Sequence, residues 1–285
     1  MEIQKVLHLH KELEKKKPKI QGDYFVTEKL DGWYVYADYI NGVWTNVTSS
    51  SGREIPSLLW MKLGILKQLP TPKFNCRLIA EATIDELDFH TLNGRLNTSR
   101  NDYQEYDAIL NIHDIVPLTN DVSGRAINRK NYVYEICDTL LVNVREIPIL
   151  AMTNDQKLWM KHAEQIWDRE GEGVILLRAD STYTAGKRNS DLMKIKLEET
   201  FDLLVTDLYM TIGEKNNENM NLKLKDSRGC FVDVRIGRYK DQCEFALNSP
   251  IGKVATIKCM KQTEDGYREP RFQHIRYDKL PHEID

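Results

Sequence analysis

The chain has 285 residues, with a hydrophobic fraction of 41%, a charged fraction of 29% and a formal net charge of −3 at pH 7. This length suffices for one large domain or two ordinary ones. No apolar run approaches the roughly 20 residues that span a bilayer, so we expect a soluble globular protein. A negative net charge by itself gives no sign of a nucleic-acid partner.

Five cysteines are scattered singly along the chain, without a Cys-x-x-Cys pair. This pattern disfavours both a disulfide framework and a zinc ribbon. The segment Met1–Lys19 is charged and lacks the long apolar stretch of a secretory signal. We therefore expect a cytoplasmic protein, or one that acts inside a host cell, that does not bind membranes.

The N-terminal third of the sequence predicts a helix followed by a β-hairpin. Ile3, Val6 and Leu7 fall at helical spacing, which indicates an amphipathic helix over about the first dozen residues. Trp33–Ile40 is aromatic and β-branched, and the Asn-Gly pair that follows it favours a type I′ turn. We expect this strand to pair with the next apolar run, Val43–Val47.

Further helices and strands are predicted in the middle of the chain. Ser57 follows a proline and can cap a helix that continues through Leu66. Another helix starts near Thr153 and stops at Gly171. Three runs read as strands: Arg77–Thr83, Ile109–Val116 and Val174–Leu177.

The sequence changes character after Thr200, where short strand-like runs alternate with polar turns. Several short strands at such spacing predict a small barrel. We place the domain boundary between residues 199 and 200, giving domains 1–199 and 200–285. The strand-like runs are Phe201–Tyr209, Asn221–Lys225, Cys230–Ile236 and Val254–Met260.

Three short elements suggest chemistry on a lysine: Thr27–Gly32, Glu172–Leu177 and Leu192–Lys196. In the first of them, Lys29 stands just before an Asp-Gly turn. A free lysine has a pKa of about 10.4 and is a poor nucleophile at neutral pH. Burial and neighbouring cations would activate it, and the lysines of the third element would supply positive charge.

Together these elements resemble the nucleotide-binding signature of the covalent nucleotidyltransferases. Further segments extend the resemblance in order along the chain, and they are most similar to ATP-dependent DNA ligases. Those segments are Ser51–Arg53, Leu78–Glu81, Ile112–Ile115, Tyr183–Arg188, Arg268–Phe272 and Arg276–Lys279.

The resemblance implies an α+β nucleotidyltransferase (adenylation) domain followed by a C-terminal all-β OB-fold barrel. It implies a monomeric ligase that seals nicks in duplex DNA, with ATP and Mg²⁺ as cofactors. Lys29 would attack the α-phosphate of ATP and carry AMP covalently. The AMP would pass to the 5′-phosphate at a nick, and the 3′-hydroxyl would then displace it.

The resemblance also implies a role for each matching residue. Thr27 would read the adenine, on which His113 would stack, and Glu28 would belong to the cofactor-binding site. The lysines expected to act in catalysis are Lys29, Lys194 and Lys196. Arg53 and Glu81 would contact the ribose, and Glu81 and Glu172 would bind the metal ion. Arg276 and Lys279 would contact the pyrophosphate. The residues expected to contact DNA are Arg53, Lys187, Arg188, Arg268 and Arg271.

Three positions depart from the pattern of the family. Tyr34 stands where many members have arginine, Ala80 replaces the glycine that usually precedes Glu81, and His113 replaces a larger aromatic ring. Within the superfamily, an RNA ligase and a capping guanylyltransferase remain alternatives. A non-catalytic OB-fold protein that binds nucleic acid is an alternative from another class.

Overall fold

The computed structural model describes residues 2–45, 47–55, 65–84, 92, 108–119, 124–138, 143–213 and 216–285. The chain forms two compact units, Met1–Ile195 and Lys196–Asp285. The predicted cap at Ser57 and most of the predicted helix lie outside the described residues; within the predicted span, Ile65–Gln68 are helical (α2). Among the described residues, no helix is long and apolar enough to cross a membrane.

The first sheet of unit 1 has five strands in the order β1-β11-β10-β2-β9. Helix α4 (Gln156–Trp167) packs on it, and buried Trp159 and Ile166 join its core. Asp155 caps this helix by accepting a hydrogen bond from the Lys157 amide. The strands of the sheet are β1 (Lys5–His8), β2 (Tyr24–Glu28), β9 (Ile149–Thr153), β10 (Gly173–Arg178) and β11 (Arg188–Lys196).

The prediction of a helix at the N-terminus is wrong for its first part. Residues Lys5–His8 form β1, which pairs in parallel with β11, and only Leu9–Leu13 are helical (α1). Leu7 is buried in the core of this sheet. Hydrogen bonds to a strand distant in sequence therefore outweigh a local helical spacing.

The second sheet of unit 1 has six strands in the main order β4-β3-β6-β7-β8, with β5 also pairing with β3. The predicted hairpin is confirmed, because β3 and β4 are antiparallel and the turn residues Asn41 and Gly42 both have positive φ, at 50° and 89°. Helix α3 (Ala126–Cys137) contributes buried Val133 and Ile136 to the core of this sheet. The strands are β3 (Trp33–Ile40), β4 (Val43–Trp44), β5 (Thr48–Ser49), β6 (Cys76–Ile84), β7 (Ala108–Pro117) and β8 (Val144–Glu146).

Unit 2 is built on a five-stranded antiparallel sheet in the order β14-β13-β12-β15-β18. Strands β14 and β18 are its two edges, so the pairings of the described strands do not close the expected barrel. Helix α5 (Tyr239–Leu247) was not predicted from the sequence, and its Phe245 is buried in the core. The strands of unit 2 are β12 (Glu199–Ile212), β13 (Glu218–Lys225), β14 (Phe231–Arg235), β15 (Val254–Cys259), β16 (Lys261–Thr263), β17 (Gly266–Arg268) and β18 (Arg271–Arg276).

All five cysteines are free thiols in different environments. Cys76 and Cys259 are buried, whereas Cys137 and Cys230 are partly buried. Cys243, on α5, is exposed. Burial raises the pKa of Cys76 and Cys137 to about 12 and that of Cys259 to about 11.

Gly32 allows the turn between β2 and β3 to lie directly against β6. A Cβ atom at this position would stand 2.6 Å from the Ala82 carbonyl oxygen and 2.8 Å from the Glu81 side chain. Real Cβ atoms do not approach backbone atoms so closely, so any larger residue would push the turn away from β6. The turn that follows Lys29 therefore requires glycine.

We expect Gly32→Ala to lower the free energy of unfolding by about 1–3 kcal/mol, the usual range for overpacking. Gly237→Ala is the matched control, because a Cβ there would meet open space. Chemical denaturation of both variants measures the difference. Equal stability of the two would contradict the close approach.

A buried carboxylate should make the stability of unit 2 sensitive to acid. Burial would raise the pKa of Glu198, but hydrogen bonds from Lys258 and Arg271 outweigh it and bring this pKa down to about 2. A depressed pKa stabilises the fold above the unfolded value of about 4.3, and that stability is lost as the pH falls towards 2. Glu198→Gln should lower the free energy of unfolding by about 2 kcal/mol at pH 7. The difference from the unaltered chain should shrink between pH 4.5 and 2 in urea titrations; a constant difference would count against this.

Candidate active site

Lys29 directly follows β2 and is fixed against the start of β10. Its backbone amide donates to the Gly173 carbonyl oxygen at 2.8 Å, and its Nζ forms an ion pair with Glu172. The Glu172 side chain is only 6% exposed and that of Lys29 21%. A buried carboxylate needs a charged partner, so each side chain holds the other in place.

The second sheet of unit 1 supplies a carboxylate and an imidazole to the same site. Glu81 lies on β6 and His113 on the neighbouring β7. The His113 Nε2 is 3.4 Å from Glu81 Oε2, and both side chains are largely shielded from solvent. Two predicted nucleotide-binding residues from distant parts of the chain are thus brought into contact.

A cavity of about 290 Å³ lies between the two sheets of unit 1. Polar residues from both sheets and from α3 line it together with aliphatic side chains. The predicted site residues in its wall are Thr27, Lys29, Glu81, His113 and Lys194. The remaining lining residues are Gln4, Val6, Leu30, Tyr34, Ile79, Asp114, Lys130, Ile175, Leu177, Tyr183 and Leu192.

Of the predicted cofactor residues in unit 1, three do not line this cavity: Glu28, Arg53 and Glu172, the last of which reaches it only through its ion pair with Lys29. Glu28 forms an ion pair with Arg169 at the end of α4. Arg53 is exposed in the turn after β5, where its carbonyl oxygen accepts from the Ser49 amide at 2.8 Å. Lys187 and Arg188, predicted to contact DNA, are also exposed.

Two tyrosines in the cavity wall contact each other, and the sequence did not predict this contact. The Tyr34 hydroxyl is hydrogen-bonded to that of Tyr183, and burial, followed by this contact, raises the pKa of Tyr34. The Tyr183 hydroxyl also accepts from the Gln4 backbone amide at 2.8 Å. The sequence marked both positions, one as a departure from arginine and the other as part of a ligase-like run. Their contact depends on the tertiary fold.

Helix α3 brings two cationic residues to the site that no motif indicated. Arg129 is fully buried, and its Nε donates to both carboxylate oxygens of Asp114, at 2.8 and 3.0 Å. Lys130 lines the cavity and donates to the His113 carbonyl oxygen at 2.8 Å. Neither residue belongs to a recognisable pattern in the sequence.

In unit 2, the predicted pyrophosphate residues are tied to one buried carboxylate. Arg276 Nη1 and Lys279 Nζ each lie 2.8 Å from Asp202 Oδ2. Asp202 is 6% exposed, and Arg276 also donates to Asp278 at 2.7–2.8 Å. This arrangement gives both cations a structural task in addition to any role with substrate.

Two further predicted residues of unit 2 also have carboxylate partners. Lys196 Nζ lies 2.5 Å from Glu269, and its side chain is 2% exposed. Arg271 donates to Glu198 at 2.6 Å. Arg268 lies on β17 and is partly buried.

Metal binding at Glu81 and Glu172 was tested against the donor atoms present. Within the described ranges, no group of three or more His, Cys, Asp or Glu residues could hold a metal ion by itself. The two carboxylates nevertheless offer hard oxygen ligands, which suit Mg²⁺ when phosphates and water complete its coordination. The residues therefore fit a metal that arrives with a nucleotide.

Several solved structures are similar to this chain over nearly its whole length. A Lig E DNA ligase, from a study of DNA binding with a minimal scaffold, has a TM-score of 0.75 and 18% identity, covering 97% of this chain and 99% of its own. The ATP-dependent DNA ligase of bacteriophage T7 in complex with ATP has a TM-score of 0.53 and 18% identity, covering 95% and 98%. The Chlorella virus DNA ligase-adenylate has a TM-score of 0.50 and 20% identity, covering 98% and 99%.

No protein-family model matches the sequence, and no curated protein matches it. The structural likeness is therefore the informative comparison. It extends across both units and pairs this chain with ligases of similar length. The chain has the fold of the ATP-dependent DNA ligases.

Proposed function

We propose that this chain is an ATP-dependent DNA ligase that seals 5′-phosphate/3′-hydroxyl nicks in duplex DNA. The observation that carries the proposal is a ligase fold in which Lys29 lines the cavity of unit 1 and pairs with Glu172, a residue outside the cavity wall. Glu81 and His113 stand in the wall of the same cavity. A nucleophilic amine, a carboxylate and a ring that can stack on a base are the groups that nucleotide transfer to lysine needs.

In the proposed first step, the Lys29 amine attacks the α-phosphorus of ATP. A phosphorus–nitrogen bond forms, the bond to the bridging oxygen breaks, and pyrophosphate leaves. The ammonium must first lose a proton to solvent, which the nearby positive charge of Lys194 would favour, while Glu172 stays ionised as the proposed metal ligand. Lys194 adds positive charge to the cavity and would balance the phosphates.

The remaining cofactor roles follow from position in the cavity. Thr27, 4% exposed, would lie beside the adenine, with Glu28 next to it in the chain. His113 would stack on the base and Glu81 would bind the ribose. Mg²⁺, held by Glu81, Glu172 and phosphate oxygens, would offset phosphate charge. Lys196 is proposed as a further phosphate ligand.

We propose an α+β nucleotidyltransferase domain and a C-terminal OB-fold domain, with the boundary near residue 199. Nicked duplex DNA would be bound through phosphate contacts, which are electrostatic and independent of base sequence. The cationic residues proposed for this are Arg53, Lys187, Arg188, Arg268 and Arg271.

A label-transfer experiment separates this proposal from its alternatives. ATP or GTP labelled at the α-phosphate is incubated with the chain, and protein-bound label is measured after denaturation. Covalent AMP supports a ligase, and sealing of nicked DNA rather than nicked RNA then excludes an RNA ligase. Covalent GMP would indicate a capping enzyme, and no covalent label a binding protein.

We expect Lys29→Ala to abolish covalent adenylylation, because the variant lacks the attacking amine. It should still seal a nick that is supplied already adenylylated, since the last step does not use this amine. Lys157→Ala, at an exposed position on α4, is the control and should behave like the unaltered chain. Lysyl-AMP persisting in Lys29→Ala would show that another lysine is the nucleophile.

We expect Lys279→Ala to slow formation of lysyl-AMP on the order of 100-fold, the loss expected for one charged contact to the reacting phosphates. Sealing of a pre-adenylylated nick should be spared. Asp202→Asn is the structural control, because it breaks the ion pairs of Arg276 and Lys279 but keeps both cations. If both variants impair both half-reactions equally, the effect comes from the fold and not from pyrophosphate.

A further inference from the structure

Lys130 is a cation in the cavity wall that the proposed chemistry does not use. It lies on α3, next to the buried Arg129, and faces the cavity formed by the two sheets of unit 1. Its Nζ donates to the His113 carbonyl oxygen at 2.8 Å. The ammonium is therefore fixed beside the residue proposed to stack on the base.

The surroundings of Lys130 disfavour its charged ammonium form unless a ligand binds to it. Burial lowers its pKa, while the nearby Asp114 opposes that shift. Both oxygens of Asp114 already accept from Arg129 Nε, at 2.8 and 3.0 Å. The carboxylate is thus held by the arginine, and the half-buried Lys130 lines the cavity.

An ammonium group has three N–H donors, and the His113 carbonyl oxygen takes one of them. A partly buried donor that lines a cavity can be satisfied by an acceptor on the molecule that binds there. Purine rings carry nitrogen lone pairs in the plane of the ring. A base stacked on His113 would present its edge, and therefore these lone pairs, near the backbone of that residue.

We propose that Lys130 reads the base of the nucleotide, by donating a hydrogen bond to one ring nitrogen of the purine. This inference rests on the proposed function, because it requires a nucleotide in the cavity. Lys29 and Lys194 already serve the phosphates in that function, whereas Lys130 is tied to His113. The contact makes Lys130 a residue for nucleotide selection and not for phosphate transfer.

The test measures equilibrium binding of ATP and of 1-deaza-, 3-deaza- and 7-deaza-ATP, each of which lacks one ring nitrogen. One analogue should bind the unaltered chain about tenfold more weakly than ATP, as expected for one charge-assisted hydrogen bond. Lys130→Met should bind ATP more weakly by the same factor and should no longer distinguish that analogue from ATP. Such a cycle isolates the contact between this lysine and that ring atom.

Other patterns would overturn the inference. Unchanged ATP binding in Lys130→Met would do so, as would weaker binding with the analogue discrimination intact, which indicates a structural role. A loss that is larger for ATP than for adenosine would assign the lysine to a phosphate. Lys157→Met is the matched control for loss of a lysine charge and should bind all four nucleotides normally.

A second variant keeps the test decisive if the Lys130→Met variant does not fold. Lys130→Gln retains an amide that can bond to the His113 carbonyl oxygen, and the same loss of discrimination is expected. Absence of ATP binding to the unaltered chain would overturn both the inference and the proposed function. Binding of ATP without formation of lysyl-AMP would overturn only the ligase activity.

Discussion

The candidate site depends on the pairing of β2 with β10, which places Lys29 beside Glu172. The two strands are antiparallel with Glu28 opposite Val174, so the residues just beyond the pair must meet. The resulting ion pair is largely shielded from water, and losing either partner would leave an uncompensated charge. The second sheet of unit 1 then contributes Glu81 and His113 to the cavity that Lys29 lines.

Much of the fold follows from local sequence chemistry. The Asn41-Gly42 pair sets both positive φ angles of its turn, and the helix after Thr153 begins with an aspartate cap. Such features depend on a few adjacent residues, and sequence patterns predict them well. The strand at Lys5–His8 was different, because its hydrogen bonds go to β11 and no local pattern reports them.

Residues of the candidate site could be predicted only where they belong to a sequence motif of the family. Lys29, Glu81 and His113 lie in segments with a recognisable family pattern, and the structure gathers all three around one cavity. Lys130 and the contact between Tyr34 and Tyr183 had no such signal, because they arise when elements remote in sequence pack together. Helix α5 was missed for a related reason, since only Phe245 among its residues is deeply buried.

The uneven environments of the cysteines bear on how this chain can be handled chemically. Thiolates, and not thiols, react with alkylating reagents, so the raised pKa values at Cys76, Cys137 and Cys259 protect these side chains near neutral pH. Cys243 is exposed on α5, so we expect it to react first. A dye attached there would label unit 2 without any engineered cysteine. The sequence is thus already suited to fluorescent labelling of unit 2.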